Sequence, residues 1–174
     1  KNHPTSDVRT FLKLLLAFGL TLFITDYVLG SGLAYYYGKQ TSGTLYRTSY
    51  AIDSTRAEIL IAGSSRANHH YDAPLLAMKF GKTVYNTGRD GQGFLYSAAI
   101  ISAAIERYTP TLLILDIAPD ELAIDEKERL TCLLPYRNRP NIKPYIDYMG
   151  DFQQIMLFSK TYPYNSILSS IIAG

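Results

Sequence analysis

Glu58-Ile59-Leu60-Ile61-Ala62-Gly63-Ser64-Ser65-Arg66 is the stretch on which the rest of the chain turns. A short apolar run that stops at Gly-Ser-Ser reads as a buried strand feeding a tight loop. Beyond it, Asp72 is placed to cap a helix that has Pro74 in its first turn, Leu75, Leu76, Met78 and Phe80 as its apolar face, and Gly81 at its end. Thr83 to Asn86 forms a second short strand, stopping at Thr87-Gly88. From Phe94 to Tyr108 the residues Leu95, Ala98, Ala99, Ser102 and Ile105 recur at helical spacing, and Pro110 stops that helix. Thr111 to Ile117 (TLLILDI) is a third strand, apolar on both faces as a central parallel strand should be. Strands alternating with helices over some 60 residues predict an α/β fold with a parallel sheet and right-handed crossovers.

In such a sheet the ligand site lies beyond the carboxyl ends of the strands. Three polar segments fall there: Gly63-Ser64-Ser65-Arg66, Gly88-Arg89-Asp90-Gly91, and Asp116 to Asp120. A serine in a strand-to-helix turn can raise its hydroxyl above the sheet edge, with backbone N–H groups facing a developing oxyanion; Gly and Ser also build ordinary turns. Arg66 and Arg89 are candidates to bind an anionic substrate group, with Asp116 and Asp120 beside them, or to pair with Asp90, Asp116 or Asp120. Gly88-x-x-Gly91-x-Gly93 is the reverse of a dinucleotide fingerprint, and no Walker-type loop occurs. The adjacent His69 and His70 point in different directions, and Asp72 does not complete a zinc set. They read as hydrogen-bonding groups of the loop or, for one of them, as a base for Ser65; no metal or cofactor is expected.

Upstream, Thr10 to Leu29 reads TFLKLLLAFGLTLFITDYVL, with only Lys13 and Asp26 charged. About 20 residues at 1.5 Å each match the bilayer's hydrocarbon thickness of about 30 Å. Tyr35, Tyr36 and Tyr37 suit an interfacial belt. The alternatives are a cleaved signal peptide, for which Gly30-Ser31-Gly32-Leu33-Ala34 offers small residues, and a soluble helix. Lys1, Arg9 and Lys13 against Asp7 orient an anchor with its N-terminus in the cytoplasm. This divides the chain into a flank (1–9), a transmembrane anchor (10–30), a polar linker (31–57) and the α/β domain (58–174). After Pro119, helices are expected over Glu121–Leu133, Tyr145–Phe158 and Asn165–Ile172, with a loop from Pro135 to Pro144.

The 174 residues are 47% apolar and 18% charged, which excludes a disordered chain. A formal net charge of +2 gives no electrostatic case for nucleic acid, and one cysteine, Cys132, excludes an intramolecular disulfide framework.

The stretch from Ile59 to Leu122 resembles the SGNH/GDSL hydrolase superfamily, and more closely its membrane-anchored members in bacterial envelopes. Some of those accompany membrane-bound O-acyltransferases. Gly63-Ser64-Ser65 is similar to the family's Gly-Asp-Ser block, which makes Ser65 the nucleophile. Asn86-Thr87-Gly88 is similar to the second block, which makes Gly88 an oxyanion donor beside the Ser65 N–H. Asp116-Ile117-Ala118-Pro119-Asp120 sits where Gly-x-Asn-Asp should fall, without its Asn; Asn68 and Asn86 are substitutes. The family's base is a His in a late Asp-x-x-His block, whereas the histidines here are His3, His69 and His70. The resemblance thus implies a three-layer, flavodoxin-like SGNH-type sheet, present in part, in a reading frame expected to continue past Gly174. It implies a serine esterase or O-acyltransferase of the inner membrane, with its main domain extracytoplasmic, that acts on acyl esters of envelope polysaccharide. The alternative it leaves open is a non-catalytic partner of an acyltransferase.

Overall fold

The apolar N-terminal stretch forms one helix, α1 (Pro4–Gly38), in a computed structural model that describes residues 4–119, 121–123 and 127–173. Its side chains from Asp7 to Thr25 are exposed, and Asp7–Gly38 is long and apolar enough to cross a bilayer, a test that an anchor and a signal sequence both pass. At 1.5 Å per residue, 35 residues reach about 50 Å, well beyond a hydrocarbon core of about 30 Å. The excess is packed on the domain. Leu33, Ala34 and buried Tyr37 join the main core, so only Tyr35 and Tyr36 of the expected tyrosine belt stay exposed. The Tyr37 hydroxyl donates to the Tyr136 hydroxyl at 2.9 Å.

Asp26, uncomfortable in an anchor, has a use. Its carboxylate accepts from the Lys160 N–H (2.6 Å), the Thr161 N–H (3.2 Å), and the Ser159 and Thr161 hydroxyls (2.7 and 2.6 Å). Four turns' length of helix is thereby clipped to a loop more than 130 residues away. Asp26→Ala should lower the cost of opening that loop by about 2 kcal/mol and raise proteolytic cleavage there about 30-fold, with Asp26→Asn intermediate. Limited proteolysis in detergent, read by mass at residues 159–161, checks it.

Residues 31–57, expected as a linker, are mostly helical. They complete α1 and then form α2 (Gly43–Asp53), which buries Leu45, Thr48, Ala51 and Ile52. The stretch looked polar because Thr48 sits among the buried positions of α2 while its outer face is Ser, Thr and Tyr.

The sheet is small, parallel and ordered β2-β1-β3, with β1 Ile59–Gly63, β2 Val84–Asn86 and β3 Leu112–Asp116. Every β1 residue is buried. Its register pairs Gly63 with Asp116, which levels the carboxyl ends of β1 and β3, and Ile61 with Asn86, so β2 stops two residues short of them. β3 is apolar as expected, but it is an edge strand and not the central one; Leu112, Leu113 and Leu115 are exposed.

α3 (Ser65–His70) and α4 (Ala73–Phe80) follow β1. Ile59 and Ile61 pack there with Ala67 and, half-buried, Tyr71, Leu76, Val84 and Ile114. The caps of α4 are as expected: Asp72 accepts from the Leu75 N–H at 2.9 Å, and Gly81 turns at φ +62°. Its apolar face is not. Of Leu75, Leu76, Met78 and Phe80 only Leu76 packs on the sheet, and the other three are exposed.

The larger core lies around α2 and α5 (Phe94–Arg107), whose Tyr96, Ala99, Ile100 and Ala103 are buried. Half-buried Tyr85, in register with Leu60 of β1, carries the sheet into it. The C-terminal third closes this core with shorter pieces than expected: 3₁₀ turns at Glu121–Ala123, Lys127–Tyr136 and Tyr162–Ile167, and α6 (Lys143–Asp147), α7 (Asp151–Met156) and α8 (Leu168–Ala173). Gly150, at φ +102°, breaks the helix expected over Tyr145–Phe158. Cys132 is buried beside Leu133 and Leu134.

Candidate functional site

The order β2-β1-β3 places the crossover switch at the carboxyl end of β1, where an open parallel sheet leaves a crevice. Gly63 ends the strand at φ +152°, with no room for a Cβ between Ala67 and the Asp116 carbonyl. Ser64 is buried and caps α3 through its backbone, and Ser65 is the first helical residue. Buried Ala67 anchors the helix, so Ser65 and Arg66 face solvent. Among the described residues the Ser65 hydroxyl has no hydrogen-bond partner.

Arg66 reaches across the switch to Asp116, Nη2 to Oδ1 at 2.5 Å. The Asp116 side chain is 7% exposed and that of Arg66 is 48% exposed, so this pair ties the β1 and β3 loops together. This is the structural pairing, one of the two readings of Arg66, and it uses one of the Arg66 donors. Asp120, the fourth candidate, lies outside the described residues.

The two oxyanion donors assigned on the second loop are engaged. The Gly88 N–H donates to Asn86 Oδ1 at 2.9 Å. The Asn86 amide donates to the Ala67 carbonyl at 2.7 Å and the Tyr71 carbonyl at 3.0 Å. Asn86 is therefore a clasp that holds β2 against the middle of α3 and its C-terminal cap. A Cβ at Gly88 would stand 2.5 Å from the Asn68 nitrogen, so glycine is needed for the loop to lie this close to α3.

His69 stands one helical turn after Ser65, on the same side of α3. Its Nε2 lies 3.1 Å from Asp90 Oδ2, and Asn68 donates to Asp90 Oδ1 at 2.8 Å. The Asn68 amide, then His69, hold the Asp90 carboxyl below its ordinary range. Facing a carboxylate, which only accepts, Nε2 is the donor of this contact, and Nδ1 is the ring nitrogen not used by Asp90. Helical side chains lean toward the N-terminus, which for His69 is the direction of Ser65.

Behind this rim Arg47 and Arg89 line a cavity of about 210 Å³. Arg47 donates to Asn68 Oδ1 (2.8 Å) and to the carbonyls of Asn86 (3.2 Å) and Gly88 (3.3 Å). Arg89 donates to Thr48 Oγ1 at 2.8 Å, with its guanidinium 5.9 Å from the centre of the Tyr96 ring. Of the two arginines expected at the rim, Arg89 is the one that lines this cavity. Its partner there is Arg47, which a reading of 31–57 as linker could not place; its one signal was a lone cation in an otherwise uncharged run from Gln40 to Ile52. Among the described residues no three His, Cys, Asp or Glu side chains come together as metal ligands.

No protein-family model, curated protein or solved structure matches the chain.

Proposed function

We propose that this protein is a membrane-anchored serine ester hydrolase or O-acyltransferase, with Ser65 as the residue that is acylated. One observation carries the reading: an exposed, unengaged serine stands at the carboxyl end of the central strand, one helical turn before a histidine held by a carboxylate. Ser65 Oγ attacks the ester carbonyl, and the His69 Nδ1 takes its proton after a side-chain rotation within the turn, with Asp90 facing the imidazolium. The tetrahedral adduct then collapses as the ester C–O bond breaks, the imidazolium returning the proton to the departing alcohol and leaving the acyl group on Ser65. The N–H groups that open α3, that of Ser65 first, are the donors for the oxyanion, since those of Gly88 and Asn86 are committed. In place of the late Asp-x-x-His histidine that the resemblance implies, this reading uses His69, which Asp90 holds.

The anchor, the inner-membrane location with a cytoplasmic N-terminus, the SGNH-type character of the sheet and an acyl ester of envelope polysaccharide as substrate belong to the same proposal. They rest on the apolar α1, the positive flank and the resemblance. The second reading is a non-catalytic partner of a membrane-bound O-acyltransferase, and the engaged donors of Gly88 and Asn86 favour it.

Polysaccharide acylation in cells separates the two. The catalytic reading expects a Ser65→Ala strain to lose acylation at unchanged protein abundance. The partner reading expects acylation to be retained in that strain.

A further inference from the structure

We propose that the cavity between α2 and the loop after β2 is a phosphoryl-binding site built by Arg47 and Arg89. Two guanidinium groups from separate elements point into one space of about 210 Å³, walled by Thr44, Thr48 and Thr87 and open at exposed Thr44 and Asp90. Among the described residues neither arginine has a carboxylate in ion-pair contact. A half-buried guanidinium cannot shed its proton, so the positive charge has to be balanced.

The neighbours do not balance it. Tyr96 is buried and its phenol is pushed up to about 12, chiefly by burial, so it stays neutral. Burial likewise pushes up the Cys132 thiol. Asp90, exposed on the rim and hydrogen-bonded by Asn68 and His69, faces Arg47 electrostatically, and its single charge offsets at most one of the two guanidinium groups. The hydrogen bonds of Arg47 go to neutral carbonyl oxygens, and Arg89 spends one of its five donors on Thr48. Planar donors left over on two facing arginines match the oxygens of a phosphoryl group, whose charge of nearly −2 offsets both; a carboxylate offsets one.

The size fits as well. A water takes about 30 Å³ of liquid, so this space holds a phosphoryl group and a few further atoms. Inorganic phosphate and a small phosphomonoester therefore share the chemistry. The site does not use Ser65, and its test is independent of the acyl-transfer reading.

The test is calorimetric titration of the full chain in a phosphate-free maltoside detergent, with inorganic phosphate, glycerol 1-phosphate and acetate at constant ionic strength. Phosphate is expected to bind at one site, with acetate at least about tenfold weaker, the factor for one lost charge-assisted contact of about 1.4 kcal/mol. Arg89→Gln, which removes the guanidinium, should weaken phosphate about tenfold or more while the phosphate-free chain keeps its fold by circular dichroism. Arg47→Lys, which keeps a donor for the carbonyls but loses the fork, should do the same. Tighter glycerol 1-phosphate than phosphate identifies an esterified ligand, and the reverse identifies free phosphate; both support the site. Absence of phosphate binding, or binding unchanged in Arg89→Gln and Arg47→Lys, overturns the proposal.

Discussion

Gly63→Ala should destabilise the domain more than any other single methyl addition in the sheet. Two independent costs meet at this residue. Its φ of +152° is backbone that L side chains rarely adopt, which costs about 1–3 kcal/mol. The new methyl would also stand 2.7 Å from the Asp116 carbonyl oxygen and 2.7 Å from the Ala67 Cβ. Neither neighbour can withdraw. Asp116 is fixed by its parallel pairing with Gly63, and Ala67 is the buried residue that seats α3 on the sheet. Overpacking of this kind adds about 1–3 kcal/mol. The sum, about 4 kcal/mol, corresponds to a loss of roughly 8–16 °C in melting temperature for a chain of this size. Thermal unfolding in detergent measures it, with Gly19→Ala, where a Cβ meets nothing within 4 Å, as the control expected to melt unchanged.

That result bears on function because the same glycine sets where Ser65 begins its helix. The sequence carried this much plainly. The run Ile59–Gly63 stopping at two serines, the Asp72 and Gly81 caps and the helix from Phe94 are local signals of periodicity and turn chemistry, and each stands where those signals put it. What the sequence hid was relational. TLLILDI is apolar on both faces, which fits a central strand; that its far edge is open depends on the order β2-β1-β3 and not on the strand itself. The exposed face of α4 is hidden for the same reason, since leucine and phenylalanine at helical spacing do not say what they meet. Asp26 read as a liability because its partners, Ser159 to Thr161, lie far along the chain. The site was legible in part. The loop after β1 could be read from Gly-Ser-Ser, but the pairing of Arg66 with Asp116 and the facing of Arg47 and Arg89 are tertiary facts.

The second large effect concerns Ser65 itself. A free serine hydroxyl is a weak nucleophile, and reaction with a fluorophosphonate requires a base to take the proton as Oγ bonds to phosphorus and fluoride leaves. General-base assistance is worth about 10²–10⁴-fold. His69→Ala should therefore slow phosphonylation by about 10² or more. Asp90→Asn leaves an acceptor for the His69 N–H but removes the charge that faces the imidazolium, so its effect should be smaller than that of His69→Ala. A purely structural His69–Asp90 pair would leave the labelling rate of folded His69→Ala equal to that of the unsubstituted chain.

Mass spectrometry of the full chain in detergent after fluorophosphonate treatment tests the central claim most directly. The account predicts one phosphonyl adduct, located on Ser65, that is absent from Ser65→Ala. Equal labelling of the two proteins, or an unlabelled chain that is otherwise folded, would contradict it.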